Sequence, residues 1–273
     1  MKKLICLILA VILTLSLCAC GADGGNTGSG NNTVDPATLQ SHVDSASDYI
    51  GTVIDTSKLT YSDQTDQPNS LYRNWYSEDE EPTGNELSMD VELLDKTITV
   101  GKTTVKELKE LGYNVVTDVE EVEPNTEIAL SIAEYDEFCA LTVSNNTDKN
   151  QNIMDLPVDS MILGGSEEYS VKYSYKGLTT GSTLEEAIKT LGEPAFGITV
   201  MADGPDTTIE LNYTNSQIEG DFETSDSLDV YLTYDVEKDA ATISNITLRR
   251  QIYDYSKDGI DPSNFDTEED TDE

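Results

Sequence analysis

The chain has 273 residues, 53 Asp and Glu against 16 Lys and Arg, a formal net charge of −37, one His and four Cys. So few cations cannot build the basic face that neutralises nucleic-acid phosphates, and no nucleic-acid partner is expected. The single histidine, His42, leaves histidine-dependent catalysis and His-rich metal sites almost without material, while 37% hydrophobic residues still suffice for a folded body.

Met1-Lys2-Lys3 is a short basic segment, and Leu4 to Leu17 carries no charge. That run is too short for a comfortable membrane span of about 20 residues but suits the apolar part of a secretory signal peptide. Leu17-Cys18-Ala19-Cys20-Gly21 then resembles the lipobox of bacterial lipoproteins, with an aliphatic residue three positions before a cysteine and a small residue just before it. The resemblance implies cleavage between Ala19 and Cys20 and attachment of diacylglyceryl and fatty acyl chains, palmitate among them, to Cys20. Cys18 competes for that role, but the bulky Leu17 stands where a small residue is expected. Two acyl chains supply the paired hydrophobic signal that stable anchoring requires. With residues 1–19 gone, Lys2 and Lys3 are lost and the mature chain carries 14 basic and 53 acidic residues, a net −39. Cys139 has no partner once Cys20 is acylated, and its neighbours Phe138, Ala140 and Leu141 read it as a small buried hydrophobe in a strand.

Gly21 to Pro36 is rich in Gly, Asn and Thr and reads as a flexible tether. Leu39, Val43, Tyr49, Ile50 and Val53 allow a short amphipathic helix over 36–55, on which His42 is most simply an exposed residue. Residues 56–86 read as an extended or disordered polar connector, interrupted by Leu71, Tyr72, Trp75 and Tyr76, which would dock on the folded body. Alternating apolar positions then predict a hairpin with a turn at Asp95-Lys96, and strands around Ile128–Ile132, Cys139–Val143, Tyr169–Tyr175, Ile209–Tyr213 and Leu228–Tyr234. In the last strand the apolar parity changes between Ile243 and Ile246, which one extra residue near Ser244-Asn245 explains as a β-bulge. From Asp254 the chain holds nine acidic residues and one Lys, a solvated tail.

Residues 99–112 laid on 179–192 match at six of fourteen positions, among them Gly101/Gly181, Thr103/Thr183 and Gly112/Gly192. Each copy reads as a short helix: Thr103 and Thr183 offer oxygens to first-turn amides, and Gly112 and Gly192 suit the left-handed residue that closes the last turn. Glu186 completes a capping box with Thr183, and Pro194 stops propagation. The expected fold class is therefore α+β, with two tandem modules, each a short helix packed on an antiparallel sheet. The organisation is a signal peptide (1–19), a lipidated tether and connector (20–86), modules at 87–165 and 166–253, and an acidic tail (254–273). Gly164-Gly165-Ser166 reads as the linker.

The second helix, Gly181-Ser-Thr183-Leu-Glu-Glu186-Ala-Ile-Lys-Thr-Leu191-Gly192-Glu-Pro194, is similar to the helix of SmpA/OmlA-type small lipoproteins and of β-lactamase-inhibitor-protein-like modules. The whole body also resembles uncharacterised surface lipoproteins of Gram-positive gut bacteria. The first copy departs from the pattern: Lys106 and Glu107 are shifted, and Tyr113 rather than a proline segment follows Gly112. The resemblance implies a role in binding proteins or assembling envelope components, on the outer face of a Gram-positive cytoplasmic membrane, and transfers no catalytic residue.

No G-x-S-x-G, H-E-x-x-H, Walker-type loop or C-x-x-C occurs in the mature sequence, so no enzyme, cofactor or resident metal is expected. The segment Asp254 to Asp261 offers oxygen ligands around Gly259 but lacks EF-hand spacing. The expected function is a non-enzymatic, lipid-anchored surface protein that binds another envelope or extracellular protein, or an envelope polymer. The alternatives are a transporter's substrate-binding lipoprotein and, behind it, an envelope enzyme using carboxylates. Cys20→Ala is expected to move the protein from the membrane fraction to the soluble one on cell fractionation; unchanged retention would exclude Cys20 as the anchor.

Overall fold

Apolar residues at every second position dominate the body, and a two-residue period puts them on one face of a strand. The computed structural model describes residues 34–64, 70–76, 87–133, 135, 139–165, 172–194 and 197–258. The expected signal segment and tether, with Ala19 and Cys20, and residues 259–273 lie outside the described residues. Three helices are described: α1 (Pro36–Val53), α2 (Val105–Glu110) and α3 (Leu184–Leu191). The strands before α2 are β1 (Thr60–Gln64), β2 (Ser70–Tyr76), β3 (Asp90–Leu93) and β4 (Lys96–Thr99). Between α2 and α3 lie β5 (Val115–Val116), β6 (Glu121–Val122), β7 (Thr126–Ile132), β8 (Cys139–Asn145), β9 (Gln151–Asn152), β10 (Val158–Gly164) and β11 (Tyr173–Ser174). After α3 come β12 (Ile198–Asp203), β13 (Asp206–Glu219), β14 (Phe222–Asp235) and β15 (Ala240–Asp254).

Ten of these strands form one antiparallel sheet, in the order β1-β2-β12-β13-β14-β15-β10-β8-β7-β5. This corrects the expected α+β pair of modules: the protein is mostly β, and one sheet runs through both halves. The reason is the pairing of β10 with β15, in which Met161 faces Leu248 and Leu163 faces Ile246. Either half alone would leave a sheet edge of unpaired amides and carbonyls; joined, the two edges satisfy each other and the apolar rows become continuous. The described residues from Val34 to Asp258 accordingly belong to one compact unit. Gly164, expected in a linker, is the last residue of β10, and Gly165 follows with φ 110°.

The folded body also begins earlier than Leu87. Leu39, Val43, Ala46 and Ile50 give α1 a buried stripe that packs on β2, β12 and β13. The expected connector supplies β1 and β2, with β2 paired to β12 from Ser70↔Asp203 to Trp75↔Ile198. Trp75 is buried there. Arg73 holds this edge together from beneath α1. It donates to both Asp63 oxygens at 2.7 and 2.8 Å, to Asp44 Oδ1 at 2.9 Å and to Ser47 Oγ at 3.2 Å, with Tyr61 across its face. His42 is half-buried on α1 rather than exposed.

The two matching segments enter their helices by the same hydrogen bonds. The Gly101 amide donates to Val158 and the Val158 amide to Thr103; the Gly181 amide donates to Ile243 and the Ile243 amide to Ser182. The first segment has one residue more between its glycine and the helix, so the cap of α2 is Thr104 and not Thr103, whose hydroxyl instead accepts from the Thr99 amide. Both helices carry a full capping box, Thr104 with Glu107 and Thr183 with Glu186. Gly112, at φ 94°, ends α2 with the Tyr113 amide donating to Leu108 and its own to Lys109. Gly192 closes α3 at φ 85°, and Pro194 beyond it is buried.

Other expectations resolve locally. The hairpin turns at Leu94-Asp95, one residue before the expected place. The bulge is at Ser244, since Tyr231 faces Asn245 and Leu232 faces Ile243. Cys139 is a free, buried thiol whose ionisation burial pushes up to about 12. Tyr173 and Tyr175 are buried, their hydroxyls bonded to Thr180 and to the Ser88 carbonyl; Tyr169 lies outside the described residues. Asp254 ends β15, and a 3-10 turn at Tyr255–Asp258 follows. Asp254 Oδ1 accepts from the Ser256 amide at 3.1 Å and hydroxyl at 2.5 Å.

At the β10–β15 seam the backbones approach closely: a Cβ on Gly164 would sit 2.6 Å from Asn245 Cβ and 3.0 Å from the Ser244 carbonyl. Gly164→Ala is expected to lower stability by about 1–3 kcal/mol through this overpacking, measured by urea unfolding. An unchanged midpoint would mean that the seam yields at no cost.

Candidate functional site

The helical layer lies on one side of the sheet. Alternate residues of β12 and of the adjoining parts of β13, β14 and β15, such as Val200, Leu211, Val230 and Leu248, are buried in the core cluster shared with α1 and α3. The intervening residues form the opposite face, which no described helix covers. Strand register arranges them in rows. One row runs Asn74–Thr199–Glu210–Tyr231–Asn245 across β2, β12, β13, β14 and β15. The next runs Asn212–Asp229–Thr247–Ile162 across β13, β14, β15 and β10. Opposite β10, the face continues with the small residues Ala140, Thr142 and Ser131.

The two rows meet in a polar cluster at mid-sheet. Asn212 Nδ2 donates to Glu210 Oε1 at 3.0 Å and to Asp229 Oδ1 at 2.8 Å, so two carboxylates converge on one amide nitrogen. Tyr231 bonds Glu210 through its hydroxyl, and burial with the nearby carboxylates holds its proton far more tightly than usual. Thr199 Oγ1 donates to Asn74 Oδ1 at 2.9 Å, extending the network to β2. Arg249 is the cation nearest the pair in effect, but its guanidinium is engaged by Glu127 at 3.0 Å, reached over the small side chains of β10 and β8. Asp229 is thereby left short of positive charge. Burial raises its pKa to about 6; the Asn212 hydrogen bond opposes this, Glu210 adds to it, and Arg249 offsets it only in part.

The cluster can accept donors from a bound molecule, and burial makes Asp229 harder to ionise than an exposed carboxylate. It is not a built metal centre: among the described residues no three His, Cys, Asp or Glu side chains group to hold an ion. None of the residues that sequence reasoning singled out contributes to it. Gly101, Thr103, Gly112, Gly181, Thr183, Gly192 and Pro194 shape the two helix ends in the layer behind the sheet, and Ala19 and Cys20 are not described. Glu210, Asn212, Asp229 and Tyr231 did have a signal, since they fall between the apolar positions of two strands. In a chain with 53 acidic residues, two more carboxylates carried no distinction.

Comparison with protein-family models, with curated proteins and with solved structures finds no match.

A carboxyl whose folded pKa is raised takes up its proton at higher pH in the folded than in the unfolded chain. Its contribution to stability is therefore most favourable below the unfolded value of 3.8 and is lost as pH rises through about 6. At pH 7 the ionised Asp229 opposes folding. Asp229→Asn keeps an oxygen for Asn212 and removes the charge, and is expected to stabilise the protein at pH 7 by about 1–2 kcal/mol, discounted for partial solvent access. The gain should vanish near pH 4, read from urea midpoints at the two pH values; a gain equal at both would exclude the charge as its source.

Proposed function

We propose that this chain is a non-enzymatic surface lipoprotein, held through acylated Cys20 on the outer face of a Gram-positive cytoplasmic membrane, that captures an envelope or extracellular protein on the open face of its sheet. The observation that carries the reading is the one-sidedness of the fold. The helices bury one face, while the other presents half-buried side chains including Asp229, whose charge is maintained against burial. A group held at a cost to stability is a mark of a surface kept for binding. Tyr231 and Tyr72 add aromatic area with polar tips, the kind of side chain enriched where proteins meet. The lipobox supports the location. The resemblance of the α3 helix to modules of small envelope lipoproteins supports a binding role.

An antiparallel sheet continuous across both halves favours this reading over a transporter's binding protein, which resembles two lobes of alternating strands and helices. The test is photocrosslinking in intact cells, with a photoreactive residue at Tyr231 and, as control, at Glu186 on α3. One defined protein captured from position 231 and not from 186 is the expected result. Capture from 186 alone, or of glycan alone from 231, would overturn the proposal of a protein partner on this face.

A further inference from the structure

The three longest strands outrun their neighbours. β13 and β14 have 14 residues each and β15 has 15, while β12 has 6 and β10 has 7. β12 pairs with β13 only as far as Ile198↔Leu211, with one further bond from the Asn212 amide to Gly197. Beyond that point β13 continues to Glu219, paired with β14 on one side and, among the described residues, with nothing on the other. Because Asn212 points its amide toward β12, Thr214, Ser216 and Ile218 point theirs the same way. Among the described residues, three amide and carbonyl pairs thus form an open edge.

This edge has none of the usual protection. It contains no proline, no lysine and no bulge, devices by which folded proteins discourage strand addition. It is also free of charge. Leu211 to Ile218 (LNYTNSQI) carries no Asp, Glu, Lys, Arg or His, although a quarter of the chain is Asp, Glu, Lys or Arg. Two copies of a chain at −37 repel each other over most of their surfaces, and here that repulsion is least.

We propose that the β13 edge pairs with the same edge of a second copy, antiparallel about a two-fold axis through Ser216. The register is self-complementary. Ser216 faces Ser216, Thr214 faces Ile218, and Asn215 faces Gln217, so each amide side chain meets an amide and the half-exposed Ile218 meets a threonine methyl. Glu219 falls opposite Tyr213 rather than opposite its own mate. The two sheets become one, with the open faces of both copies on a common surface.

Sedimentation equilibrium on the mature chain with Cys20→Ser, over a range of concentrations and salt, tests this. The expected result is a monomer–dimer equilibrium that tightens as salt rises, because screening removes the net repulsion. Ser216→Pro deletes one outward amide without touching the β13–β14 ladder, and is expected to weaken dimerisation at least tenfold with an unchanged monomer melting temperature. Under oxidation Ser216→Cys is expected to form a disulfide-linked dimer, since directly opposed hydrogen-bonded residues lie about 5.5 Å apart at Cα and the buried Cys139 is shielded. A monomer at every concentration and salt, or a dimer indifferent to Ser216→Pro, overturns the proposal.

Discussion

The antiparallel seam between β10 and β15 is the constraint on which the rest of the structure depends. Five residues of each strand, Ser160–Gly164 and Asn245–Arg249, join a meander built from 115–164 to another built from 198–254. Among the described residues no disulfide ties the halves together, so the packed core must carry the stability. The seam makes that core continuous, from Val115 at one end to Trp75 at the other. The Ser244 bulge sits beside it and shifts the parity of β15. Ile246 and Leu248 therefore reach the core with Leu163 and Met161, while Asn245, Thr247 and Arg249 are delivered to the opposite face.

That delivery creates the candidate site. With the helices gathered on one side, the other side of the sheet must satisfy its polar groups among themselves or with a ligand. Most do so across strands, as Thr199 does with Asn74 and Arg249 with Glu127. Glu210 and Asp229 converge on the Asn212 amide, Glu210 with the Tyr231 hydroxyl besides, and burial with the nearby Glu210 raises the pKa of Asp229. Two arginines elsewhere are fully matched by carboxylates. Arg73 is matched by Asp63 and Asp44, and Arg250 by both oxygens of Asp226 at 2.6 Å. By contrast Asp229, on the open face, is held by an amide and only weakly offset by Arg249.

The acidity with which the chain announces itself acts at two levels. Globally it keeps copies apart and repels anionic surfaces. Locally its distribution matters more than its sum, because a stretch from Leu211 to Ile218 without charge stands out only against an acidic background. The exposed end of β13 and the mid-sheet cluster lie on the same strand, so one element bears both the open face and the open edge.

Much of the local structure was legible without coordinates. Alternation located β3, β4, β7, β8, β13, β14 and β15 but not β10 or β12, the parity change located the bulge at Ser244, and the capping pattern located α3 at Thr183 to Gly192. These features depend on interactions within a few residues, which the order of residues dictates. The cap of α2 was misjudged by one position because Thr103 and Thr104 are chemically alike, and only the bond partner of each separates them. The assignment of two separate α+β modules failed for a deeper reason. Strand pairing between residues about 85 apart depends on which edges meet, and a pattern of period two says which face of a strand is buried but not what lies beside it. The same limit hid the site: sequence could set Glu210, Asn212, Asp229 and Tyr231 on solvent-side positions, but only the register of β13 against β14 brought two half-buried carboxylates to one amide.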